Sequence, residues 1–115
     1  MEKQTIISAL TALAQETRLD VFRLLVRAGP AGLPAGSLGG VLDLPPATLS
    51  FHLKELTSAG LIRYEKAGRS RIYTPDFAAM RDVLAYLTEN CCTGISHENI
   101  AVTPSTDRES QRNPA

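Results

Sequence analysis

Residues Pro45 to Tyr73, PPATLSFHLKELTSAGLIRYEKAGRSRIY, decide the fold of this chain. Leu49, Leu53 and Leu56 recur at helical spacing, which leaves Thr48, Ser50, Phe51, Lys54 and Glu55 mostly outward. Pro45-Pro46 opens that helix, because a proline in the first turn lacks only an N–H that would be unpaired anyway. The helix runs to about Ser58 and stops at Ala59-Gly60. Ile62, Tyr64 and Lys66 then alternate with Arg63 and Glu65, and Ile72 with Arg71 and Tyr73. These are two period-two strands, joined at Ala67-Gly68. A polar-faced helix followed by a basic hairpin is the layout of a winged helix-turn-helix. In that layout the helix enters the DNA major groove and the hairpin grips the adjacent backbone.

Upstream, Ile6, Leu10 and Leu13 predict a first helix over Glu2 to Ala14. Leu19, Phe22, Leu25 and Val26 predict a second over Thr17 to Ala28, ended by Gly29-Pro30. Ala31 to Pro34 reads as a loop. Ala35 to Leu42 can form a short third helix, although Gly39 and Gly40 each cost about 1 kcal/mol relative to Ala. Downstream, Asp76 caps a fifth helix reaching about Cys91. Phe77, Met80, Leu84, Leu87 and Cys91 on it are spaced 3, 4, 3 and 4 apart, the seam of a coiled-coil pair. Such a stripe can also cover the domain's own core. A DNA binder of this size needs two-fold symmetry to read a long site, which favours a homodimer, with the first helix completing the interface. The expected fold is mainly α with a small β-hairpin: four helices, two strands and a fifth helix. Residues 1–94 form one DNA-binding and dimerisation domain, and 95–115 a polar, disordered tail.

The 115 residues carry no apolar run near the roughly 20 needed to cross a bilayer and no signal segment, so a cytoplasmic protein is expected. The two cysteines are adjacent and should be free thiols in a reducing compartment. The formal net charge is zero, which argues against strong non-specific attraction to phosphate. The charges are not evenly spread, however. Between Ala47 and Thr74, Lys54, Arg63, Lys66, Arg69 and Arg71 face only Glu55 and Glu65, a local excess of three positive charges.

Within the helix, Thr48, Ser50 and His52 offer hydroxyl and imidazole groups to phosphate or base edges, and Lys54 can reach phosphate or guanine. Phe51 would give apolar contact to a thymine methyl. The plainer alternative is a solvated helix face, with His52 bonded inside the domain. Lys66, Arg69 and Arg71 flank the hairpin turn and are candidates for phosphate or minor-groove contact.

The chain resembles the ArsR/SmtB family of metal-responsive repressors, through ALAQETRLDVFRLL at Ala12 to Leu25, TLSFHLKELTSAGLI at Thr48 to Ile62, the basic wing and the closing helix. The resemblance implies a homodimeric repressor that leaves operator DNA when an inducer binds. It also implies where inducers bind in such proteins. A Cys-Val-Cys run at the third helix is replaced here by Pro34-Ala35-Gly36, and Asp76 to Asn90 has no histidine for a zinc-type site. Thr88-Glu89-Asn90-Cys91-Cys92 resembles a subgroup of arsenic sensors with a vicinal cysteine pair, although no third cysteine follows.

Soft thiolates at Cys91 and Cys92 suit trivalent arsenic or antimony as inducer, with no permanently bound cofactor. Adjacent helical residues point about 100° apart, so both sulfurs would meet one arsenic only if the helix end unwinds. The third arsenic valence would then be hydroxide, an external thiol or a methyl group. Other readings of the pair are inert cysteines, thiol redox sensing, or zinc or cadmium bound with His97, and a family member with no metal effector is a further alternative. Enzyme chemistry is not expected, because the pair sits at a helix carboxyl end, where the dipole disfavours a thiolate.

Overall fold

The computed structural model describes residues 2–95. His97 and nearly all of the expected tail lie outside the described residues. Among these residues five α-helices and a three-stranded sheet follow one another as α1 (Lys3–Leu13), α2 (Glu16–Ala28), β1 (Leu33–Pro34), α3 (Ala35–Leu42), α4 (Pro46–Ser58), β2 (Ile62–Ala67), β3 (Ser70–Pro75) and α5 (Phe77–Thr88). Ile6 of α1, Val21 and Leu25 of α2, Leu38 of α3 and Leu53 and Leu56 of α4 are buried together. Tyr73 of β3 and Val83 of α5 close the same core. The alternation of apolar and polar residues along each helix is what drives these faces together.

The helix-turn-helix proper is α3 and α4. Asp43, at φ 56°, ends α3 in the left-handed region, and the Leu44 N–H donates to the Gly39 carbonyl at 3.0 Å. Extended Pro45 then launches α4. At the far end the Gly60 N–H donates to Thr57 O and the Leu61 N–H to Leu56 O, at 3.0 and 3.1 Å. Gly60 takes φ 78°, so this is a Schellman stop, and buried Leu61 supplies its apolar contact.

Two elements differ from the sequence reading. Leu33–Pro34 is not loop but an edge strand, paired antiparallel with β3 through Leu33↔Tyr73 and Pro34↔Ile72. Two residues carry no period to detect, and an edge position tolerates proline's missing N–H. The sheet order is therefore β1-β3-β2.

The second difference concerns α5, which ends at Thr88 and not near Cys91. Glu89 turns to ψ 143°, and Asn90 and Cys92 take φ 58° and 66°. Among the described residues nothing apolar after Tyr86 packs on the core to hold another turn, and asparagine enters the left-handed region more readily than most residues. The stripe on α5 is divided, with Met80 packed against the domain's own core. Val83 is the buried anchor of this helix, whereas Leu84 and Leu87 are each 57% exposed.

Candidate nucleic-acid interface and thiol pair

α4 buries Leu49, His52, Leu53 and Leu56 within an arc of about 100° and turns the rest outward. Thr48, Ser50 and Lys54 are exposed on that outer face, and Phe51 is 55% exposed beside them. His52 is the exception among the expected readers. Only 8% of it reaches solvent, and its Nδ1 lies 3.4 Å from Arg18 Nη1. Arg18 in turn donates through Nε to the Ala12 carbonyl at 2.8 Å. The imidazole thus joins α4 to the end of α1 and is withdrawn from the outer face, which corrects its assignment as a base reader. Burial, and next the neighbouring Arg18 charge, lower its pKa from the ordinary 6.5, with Glu55 opposing.

The hairpin stands beside this face. Ala67 pairs with Ser70, so the connection is the two-residue Gly68-Arg69. Gly68 has φ 65°, the position where a Gly-first hairpin turn needs a residue without Cβ. Lys66, Arg69 and Arg71 are all exposed around it. A groove of about 390 Å³ runs between α4 and the hairpin, lined by Ser50, Lys54, Thr57, Tyr64, Arg71 and Tyr73. A second cleft, bordered by Gly36, Ser50, Arg69 and Arg71, continues it toward α3. The fold therefore gathers Ser50, Lys54 and Arg71 along one continuous channel.

Tyr64 and Tyr73 belong to this channel and were missed as site residues by the sequence reading. Their direct cross-strand pairing is the signal that would have found them. The Arg71 guanidinium lies 4.3 Å from the Tyr64 ring centroid, and the two tyrosine rings are 5.4 Å apart. Its nearness to Tyr73 first, and then to Tyr64, raises the already high Arg71 pKa, so it is a cation at every working pH.

Cys91 and Cys92 occupy the turn that follows α5, both exposed and both free. Their Sγ atoms are 2.9 Å apart. The turn is held by the Cys91 N–H donating to Thr88 O at 3.0 Å, with Thr88 Oγ1 donating to Leu84 O at 2.8 Å. Local unwinding to bring the sulfurs together is therefore not needed, which corrects that expectation. The hydrogen bond with Cys92, and secondarily desolvation, raise the Cys91 pKa. Among the described residues no cluster of three or more His, Cys, Asp or Glu side chains could hold a metal ion. Among the described residues no carboxylate or imidazole completes a site with the two sulfurs, and two soft donors suit a thiophilic centre better than zinc.

A hydroxyl- and lysine-bearing helix set against a basic hairpin defines a winged helix-turn-helix protein. A family profile described as a helix-turn-helix domain matches residues 13–65. A Halobacterium salinarum protein named for repression of an arsenical resistance operon is 37% identical over 67 residues, 58% of this chain. The chain spans about half the length of that relative, with 51% of it covered. HlyU from Vibrio cholerae is 32% identical with a TM-score of 0.60, over 76% of this chain and 97% of that one. An ArsR-like transcriptional regulator from Rhodococcus sp. RHA1 is 28% identical with a TM-score of 0.65, over 73% and 76%. The chain belongs to the ArsR/SmtB family of winged helix-turn-helix regulators. Its relatives are regulators of transcription and not enzymes.

Proposed function

We propose that this chain is a cytoplasmic transcriptional repressor that holds operator DNA as a homodimer and leaves it when trivalent arsenic or antimony bridges Cys91 and Cys92. The DNA end of this reading is α4 with Thr48, Ser50, Phe51 and Lys54 in the major groove, and Lys66, Arg69 and Arg71 on the backbone or minor groove. The dimer end rests on the open leucines of α5 and on Ile7 and Leu10 of α1, which are also partly bare.

The observation that carries the inducer reading is the 2.9 Å approach of two exposed sulfurs in a turn already outside the helix. Arsenous acid can exchange two hydroxides for the two thiols, forming two As–S bonds and releasing two waters. The third valence keeps hydroxide, or carries an external thiol or methyl group, so methylarsenite would also fit. The archaeal relative's name points the same way. A closed dithiolate ring would fix the turn that follows Leu84 and Leu87, and so bias the packing of α5 against its partner.

The test is release of a fluorescent duplex from upstream of the protein's own gene, titrated with arsenite, antimonite, methylarsenite, zinc and cadmium. Wild type should release with the three metalloids and be indifferent to zinc and cadmium. Cys91→Ser with Cys92→Ser should keep duplex affinity and lose the arsenite response by at least about tenfold, as expected when both soft ligands are removed. Unchanged release from the double variant would overturn the inducer site.

A further inference from the structure

Residues two apart on a strand share a face, so the register puts Tyr64, Lys66, Arg71 and Tyr73 together on one side of the hairpin. Tyr73 is buried, and core packing accounts for it. Tyr64 keeps 38% of its surface in solvent, so core packing explains a large aromatic at that position only in part. What it does touch is Arg71, whose guanidinium sits 4.3 Å from its ring centroid, while the Tyr73 ring backs it at 5.4 Å. Both Tyr64 and Arg71 line the groove that also contains Ser50 and Lys54 of α4. An exposed arginine otherwise samples many rotamers, and ordering it on binding lowers affinity by about three- to tenfold.

We infer that Tyr64 is a positioning residue for DNA recognition, its ring holding the Arg71 guanidinium in the groove beside Ser50 and Lys54 before DNA arrives. This rests on the DNA reading above and adds a division of labour to it. Arg71 makes the contact, and Tyr64 acts only through Arg71. A cation over a tyrosine face is held by the ring and does not require the hydroxyl, so phenylalanine should serve nearly as well.

A double-mutant cycle on the full chain tests this, with duplex affinity measured across a salt series and a thermal melt run on each variant. Arg71→Ala should weaken binding and lower the salt slope by about one, as loss of one phosphate contact does. Tyr64→Leu should weaken binding about three- to tenfold with the slope unchanged, because no charge is lost. Tyr64→Phe should stay within about twofold of wild type. In the Arg71→Ala background, Tyr64→Leu should have no further effect. An equal loss from Tyr64→Leu in both backgrounds overturns the proposal, since Tyr64 would then act by itself or by supporting the hairpin. Tyr64→Leu binding like wild type while Arg71→Ala is impaired overturns the positioning role and leaves the DNA reading standing. Unchanged affinity in Arg71→Ala overturns the positioning proposal, and no salt-dependent duplex binding by the wild type overturns both.

Discussion

His52 illustrates how one position on a recognition helix can change its role through a small rotation. It lies at the border of the buried arc of α4, and Arg18 from the neighbouring helix takes its Nδ1. Ser50 and Lys54, a few residues away on the same helix, stay in solvent. The pKa of His52 is lowered from 6.5 by burial first and Arg18 second, so the unfolded chain binds a proton more readily than the folded one. Stability contributed by the neutral imidazole is then complete above about pH 6.5 and declines as pH falls from there toward the depressed folded value. Urea midpoints at about pH 7.5 and pH 5.5 should show this decline in wild type and a smaller one in His52→Gln. Identical pH dependence in the two proteins would remove His52 as the cause. Sequence alone left His52 with two readings, because the border between a buried and an exposed arc depends on which neighbour arrives there.

The wing depends on a backbone detail two elements away. Gly32 has φ 73° and ψ −176°, a region open essentially only to glycine, and it feeds β1 onto β3. A methyl group there would stand 2.5 Å from the Tyr73 carbonyl oxygen and 2.7 Å from Thr74 Cγ2. Gly29 shares the strained backbone, at φ 80° and ψ −162°, but a methyl group there meets nothing within 4 Å. Gly29→Ala should therefore cost about 1–3 kcal/mol from the backbone alone. Gly32→Ala should cost visibly more and loosen the hairpin that carries Arg71. Chemical denaturation of the two variants checks this, and equal losses would mean that the close approach to Tyr73 is not felt. The helices and the hairpin were readable because their periods repeat over six residues or more. The β1 edge and the early end of α5 were not, since each turns on two or three residues whose conformation is set by what packs nearby.

Taken whole, the molecule leaves Ile7 and Leu10 of α1 and Leu84 and Leu87 of α5 partly uncovered on its terminal helices. Val83 anchors α5, so Leu84 and Leu87, about 100° and 40° round from it on the same side, are free to meet a second copy. Leu84→Glu combined with Leu87→Glu should give a folded monomer by sedimentation and circular dichroism. Its duplex affinity should fall by at least about tenfold, because a single half-site contact loses the advantage of linkage. A double variant that remains dimeric would move the interface elsewhere. The cysteine turn follows directly on this face, so a ligand there and a partner on α5 would be adjacent.

The order of helices, the stop at Gly60, the basic hairpin and the vicinal thiols were determined by the sequence itself. Each is encoded locally, by hydrophobic period, by a residue with special backbone freedom, or by the chemistry of adjacent side chains. Tertiary structure alone decided that His52 faces inward, that Tyr64 meets Arg71, and that Leu33–Pro34 joins the sheet. It also decided that the two sulfurs stand 2.9 Å apart outside the helix. These are meetings between segments, or the point at which packing ceases to support a helix, and neither is fixed by the spacing of residues along the chain.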